Sequence, residues 1–76
     1  MNIADFRNMI ETQEFVSFEF KHTALSEIEN GTFFCFLGTF YQAKGEQNMR
    51  FRVCIDLKGE TKLIPNSYRV SAIINQ

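Results

Sequence analysis

An α+β fold is what this sequence predicts: a short N-terminal helix packed on a strongly bent antiparallel sheet of four to five strands. Three observations carry it. Apolar residues change spacing from three and four to two after residue 12, the change from helix to strand. Turn-forming residues then punctuate the chain at Asn30-Gly31, in the AKGEQ stretch and at Lys58-Gly59. Finally, the segment from Phe33 to Tyr41 is apolar on both parities around Gly38, so the sheet there must be buried on two faces or bend sharply. Such a sheet either stays open beneath the helix or closes as a small SH3-, Sm- or OB-like barrel.

Each element has its own local reason. Asn2 is placed to cap a helix over residues 2–12, with Asp5 in the first turn where the positive end of the helix dipole favours an acid. Ile3, Phe6, Met9 and Ile10 line one face, which needs a sheet to cover. From Glu14 the period is two, with Val16, Phe18 and Phe20 inward. Residues 23–29 are open between strand, helix and loop: Ala24, Ser26 and Ile28 continue the strand parity, Leu25 and Ile28 suit one turn of helix, and strand or irregular chain is preferred up to a type I′ turn at Asn30-Gly31, which sets Ile28 opposite Phe33. The long apolar strand follows, with a bulge or bend at Gly38. NMRFRVCIDL alternates cleanly, placing Met49, Phe51, Val53, Ile55 and Leu57 inward and Arg50, Arg52 and Asp56 outward. A short strand ends at Pro65, and Tyr68, Val70, Ala72 and Ile74 alternate in a last one. The expected core contains Phe18, Phe20, Phe36, Phe51, Val53 and Ile55.

At 76 residues the chain allows one domain, 1–76, and its 45% hydrophobic content with nine Phe excludes intrinsic disorder. The longest apolar stretch, Phe33 to Leu37, is far short of the roughly 18 to 20 residues of a membrane span. Asp5, Arg7 and Glu11 interrupt any signal-peptide core, so the expected location is the cytoplasm. Cys35 and Cys54 have neither C-x-x-C spacing nor a nearby His, which leaves no metal site and predicts free, buried thiols; a cross-strand disulfide is the alternative. His22 is the single histidine, and no phosphate-cradling or nucleophile-elbow motif occurs. The sequence therefore predicts no enzyme and no cofactor.

Charge gives the first lead to a partner. Residues 1–31 carry −4 and residues 32–76 carry +3, within a net −1. An acidic rim of Glu11, Glu14, Glu27 and Glu29 with Tyr41 as aromatic anchor predicts a protein partner. On this reading the chain is a small inhibitor or regulator of the type phages and mobile elements encode, and surplus Phe makes self-association a further expectation. The alternative is RNA or single-stranded DNA held by Arg50 and Arg52 beside Phe40, and it ranks second because the chain is net acidic. GTFYQAKGEQN resembles the first Sm motif in the spacing of Gly38 and Asn48. It departs from that motif at Ala43 and Lys44, and no I-R-G tripeptide follows, so no family assignment rests on it.

Overall fold

The computed structural model describes residues 2–12, 18–46 and 48–74. Helix α1 (Ile3–Glu11) precedes six strands: β1 (Phe20–Ala24), β2 (Phe33–Phe36), β3 (Thr39–Glu46), β4 (Phe51–Asp56), β5 (Thr61–Pro65) and β6 (Arg69–Ile73). They form one antiparallel sheet in the order β1-β6-β2-β3-β4-β5. The α+β class holds, while the strand number exceeds the expected four to five. No ladder joins the outer strands β1 and β5 among the described residues, so the sheet is not closed.

The helix forms as its cap predicts: Asn2 Oδ1 accepts from the Asp5 N–H at 2.8 Å. Ile3, Phe6 and Ile10 then meet the sheet, and Phe6 is fully buried. Its ring stacks on Phe33 at 4.0 Å and meets Phe40 edge-on at 5.6 Å. The expected strand inward from Val16 lies partly outside the described residues. Phe18 is half-buried against the helix cluster, whereas Phe20 is exposed on the outer strand.

Two clusters occupy the two faces. Phe33, Gln42, Ile55 and Thr61 stand in one cross-strand row on the helix side. Phe34, Tyr41 and Asp56 form the adjacent row on the other side. There Phe34, Ala43, Cys54, Ile64, Val70 and Ala72 pack with Leu25 and Ile28. Those last two come from the β1–β2 connection, a 3-10 turn at Leu25–Glu27 followed by an extended Ile28.

A short connection fixes the sheet's shape. Four chain steps link Pro65 to Arg69, at most about 15 Å of backbone, yet β5 and β6 stand four strand positions apart, about 19 Å on a flat sheet. The sheet therefore curls around the larger cluster, where Ile64 of β5 joins Val70 and Ala72 of β6.

Two turns differ from expectation. The apolar run from Phe33 to Tyr41 is a hairpin, because Leu37 and Gly38 turn the chain with φ of 51° and 79° and return Thr39 opposite Phe36. Two successive positive φ values are the mark of a type I′ turn. Leu37 was unrecognisable as its first central residue, since a side chain in that region is strained and Asn or Gly is the usual occupant. At Asn30-Gly31 only Gly31 has positive φ, and the Thr32 N–H donates to the Glu29 carbonyl, which is a type II turn. The chain thereby enters β2 from across the sheet, and Ile28 is not the strand partner of Phe33.

The strained turn gives a direct test. Replacing the 87% exposed Leu37 by Asn relieves the left-handed penalty and should raise stability by about 1 kcal/mol in urea unfolding. An unchanged or lowered midpoint would mean that the Leu37-Gly38 turn is not left-handed at both positions.

Candidate functional site

The alternation in β4 is inverted relative to the sequence expectation on the side that matters most. Arg52 and Cys54 point into the larger cluster, at 3% and 0% exposure, while Phe51, Val53 and Ile55 are only half-buried. Met49, expected inward, is 95% exposed. The cause is the Arg52 side chain, which folds inward because three acceptors meet it. Its Nη1 donates to the Leu25 carbonyl at 2.7 Å, Nη2 to Asn30 Oδ1 at 2.6 Å and Nε to the Lys44 carbonyl at 3.0 Å. A buried cation tolerates burial when its donors are satisfied in this way.

The outward Arg50 and Arg52 pair expected for nucleic acid therefore does not form. Arg50 is exposed in the bend before β4, and Arg52 is interior. Phe40 and Tyr41 part as well: Phe40 packs under the helix, and Tyr41 stacks on Phe34 at 5.5 Å on the opposite face.

The acidic residues are similarly divided. Glu11 is exposed at the end of α1, on the helix side of the sheet. Glu27 and Glu29 are exposed on the segment that covers the other side, where Glu27 accepts the Thr23 hydroxyl at 2.8 Å. Glu14 lies outside the described residues. Glu11 and the Glu27–Glu29 pair thus sit on opposite faces rather than around one rim.

What the structure brings together instead is an apolar surface whose β4 residues, Phe51, Val53 and Ile55, the sequence pattern places in the core. The cross-strand pairs Phe51–Pro65 and Val53–Leu63, with Ile55, occupy the helix-side face of β4 and β5. α1 covers β6, β2 and β3 through Ile73, Phe33 and Phe40. Phe51, Val53, Ile55 and the 53% exposed Leu63 belong to neither cluster among the described residues. The signal is present as the alternation itself; among the described residues no layer reaches that face.

Where β4 begins and β5 ends, this surface runs into an open groove of about 660 Å³ lined by Ser26, Met49, Arg50, Phe51, Pro65, Asn66 and Ser67. Asn66 is 8% exposed. Its backbone N–H donates to the Arg50 carbonyl at 2.7 Å, and its Nδ2 donates to the Asn48 and Met49 carbonyls. Its buried Oδ1 has no hydrogen-bond donor among the described residues. An unmet buried acceptor costs about 1–3 kcal/mol, an unusual expense beside a groove.

The titratable groups with altered behaviour serve the fold. The Asp56 carboxylate accepts the Glu60 and Lys58 N–H groups at 2.9 Å each. The Glu60 bond chiefly, then the Lys58 bond and the nearby lysine charges, hold its pKa below the usual value despite some desolvation. Burial pushes the Cys54 thiol up to about 11, outweighing the opposite pull of Arg52. Cys35 and Cys54 are both free thiols. Cys35 faces the helix side and Cys54 the other, opposed by the pleat. His22 is exposed on β1. No helix among the described residues is long and apolar enough to cross a membrane. No protein-family model matches the sequence, and neither a curated protein nor a solved structure matches it.

Two measurements check the buried pair. Arg52→Ala strands the Leu25 and Lys44 carbonyls and Asn30 Oδ1, and should cost on the order of 3–5 kcal/mol, whereas Arg50→Ala should leave stability within about 0.5 kcal/mol. Equal effects of the two substitutions in chemical denaturation would contradict the inward placement of Arg52. For Cys54 the folded pKa lies above the unfolded one, so its contribution is complete below pH 9.0 and is lost as pH rises through about 11. Cys54→Ser should flatten that alkaline decline, and Cys54 in the parent should resist alkylation at neutral pH until the chain unfolds.

Proposed function

We propose that this protein is a small non-catalytic module that acts by binding another protein, and that the apolar face of β4 and β5, outside both core clusters among the described residues, is the contact surface. The observation that supports this is the row Phe51, Val53, Ile55 and Leu63, exposed or half-exposed on a sheet face whose neighbouring strands are covered by α1. A contiguous apolar strip on a water-soluble surface lowers solubility, and binding to a partner is the usual reason such a strip persists. The arrangement suits contact, since apolar side chains held on a sheet face supply binding energy. By occupying a partner's surface, such a module would act as an inhibitor or regulator. The location replaces the acidic rim around Glu11, Glu14, Glu27 and Glu29, because Glu11 and the Glu27–Glu29 pair lie on different faces.

The test is recovery of partners from the native host with the parent and with Leu63→Glu, a substitution at an exposed position that should leave the thermal midpoint nearly unchanged. A protein recovered with the parent and lost with Leu63→Glu is the expected result. Undiminished recovery with the variant would move the contact surface elsewhere, and recovery of nucleic acid without protein would overturn the reading. Light scattering across a dilution series separates a second copy of the chain from a different partner.

A further inference from the structure

The outer edge of β1 has a fixed hydrogen-bonding phase. The Ile74 N–H donates to the Glu19 carbonyl and the Leu25 N–H to the Tyr68 carbonyl, on the register that sets Lys21 opposite Ala72 and Thr23 opposite Val70. Hydrogen-bonded pairs alternate with unbonded ones in an antiparallel ladder, so Lys21 and Thr23 bond to β6, and the N–H and C=O groups of Phe20, His22 and Ala24 point away from the sheet. Among the described residues no strand pairs with that edge. The other outer strand, β5, ends at Pro65, whereas Phe20–Ala24 contains neither proline nor glycine and follows β6 without a register shift.

The side chains beside this edge carry opposite charges. The Thr23 hydroxyl donates to Glu27 Oε2 at 2.8 Å, which holds that carboxylate next to β1. Lys21 shares the strand face of Thr23, and both Lys21 and Glu27 are exposed. Neither is in an ion pair among the described residues, the one bridge being Lys62 to Glu60 at 3.6 Å.

We propose that β1 pairs antiparallel with β1 of a second copy of this chain, about a twofold axis beside His22, joining the two sheets into one. In that register Phe20 faces Ala24 of the second copy and His22 faces its counterpart, so each open N–H and C=O meets an open group, about six hydrogen bonds in all. Lys21 falls opposite Thr23 of the second copy in an unbonded pair, the kind in which side chains approach most closely. Its ammonium thereby reaches the Glu27 carboxylate that the second copy's Thr23 holds, and the axis repeats the contact. Within one chain Lys21 is about 7 Å along the strand from Thr23, against about 4.5 Å across this pair, so the charges match best between copies. A register displaced by two residues would leave open groups unmet and part the charges. The opposite edge of the sheet is β5, so the dimer presents two β4–β5 faces.

Sedimentation velocity on the full chain, from millimolar protein down to micromolar, should show a dimer that dissociates on dilution. At the high concentration, hydrogen exchange read by amide NMR should slow about tenfold at Phe20, His22 and Ala24 and stay unchanged at Lys21 and Thr23. His22→Pro removes an N–H that β6 does not use, and should abolish the dimer while the chain stays folded. Lys21→Glu and Glu27→Lys should each weaken dimerisation about tenfold and together restore it, which decides the matter even if proline unfolds β1. A monomer at millimolar concentration overturns the proposal, as does a dimer without the alternating protection or one that the charge variants leave unchanged. The proposal stands apart from the β4–β5 reading, since Leu63→Glu should keep the dimer. A dimer lost with Leu63→Glu and kept in the β1 variants moves self-association to the β4–β5 face and overturns the edge pairing. If His22→Pro loses a different protein while the parent alone stays monomeric, the edge belongs to that partner and the second-copy assignment falls.

Discussion

The buried guanidinium of Arg52 is the constraint around which the rest of the structure is arranged. A guanidinium does not lose its proton on burial, so its donors have to be met within the protein. The three acceptors that meet them belong to two separate stretches: the Leu25 carbonyl and Asn30 Oδ1 in the β1–β2 connection, and the Lys44 carbonyl in β3. One side chain thus ties the β1–β2 connection to β3 and β4. That connection delivers Leu25 and Ile28 to the larger cluster. It also holds the turn at Asn30-Gly31, where the Gly31 N–H donates to the Ala43 carbonyl and the Ala43 N–H to the Thr32 carbonyl. Without the tether, the cover of that face would have to depend on two apolar side chains and a few backbone hydrogen bonds.

Curling of the sheet and placement of the helix follow from the same arrangement. The three residues between β5 and β6 pull the end of the sheet toward its middle, and the Leu25 and Ser26 N–H groups donate to the Tyr68 and Asn66 carbonyls of that connection. One face therefore closes over the larger cluster without needing a second layer. The other face needs cover, and a helix of nine residues, about 14 Å long at 1.5 Å per residue, can shelter only part of a six-stranded sheet. α1 is anchored by Phe6 over β6, β2 and β3, and among the described residues it leaves the faces of β4 and β5 without cover from Phe51 to Ile55.

This explains which parts of the fold could be read in the sequence. The Asn2 cap, the helix periodicity, the stop at Pro65 and the antiparallel class depend on local rules, and these survive tertiary context. The parity of β4 does not. Phe51, Val53 and Ile55 alternate as a core face does, and a sequence pattern cannot say whether another layer arrives to cover it. Arg52 carries the opposite error, because its polarity suggests solvent and its burial depends on carbonyls 27 and 8 residues away. Leu37 hid a turn for a third reason: its side chain contradicts the backbone conformation it adopts. The charges at Glu11, Glu27 and Glu29 were legible as an acidic N-terminal half, but the sheet separates Glu11 from the other two.

The departures from local rules are unevenly distributed. Arg52 breaks the polarity rule with its donors satisfied, which marks a structural solution. The strip of Phe51, Val53, Ile55 and Leu63 breaks it without compensation within the described residues, as does the unmet Asn66 Oδ1 at the end of the same two strands. A chain selected only for stability could replace Leu63 by Thr or Lys on an outer strand at little energetic penalty, and would gain protection against edge pairing. Lys62 and Pro65 already supply such protection on β5, so the strand is guarded against indiscriminate pairing while its side-chain face stays apolar. That combination separates backbone pairing, which is discouraged, from side-chain contact, which is left open. It is the pattern a particular contact on β4 and β5 would leave, and it is the premise of the protein-binding face proposed above.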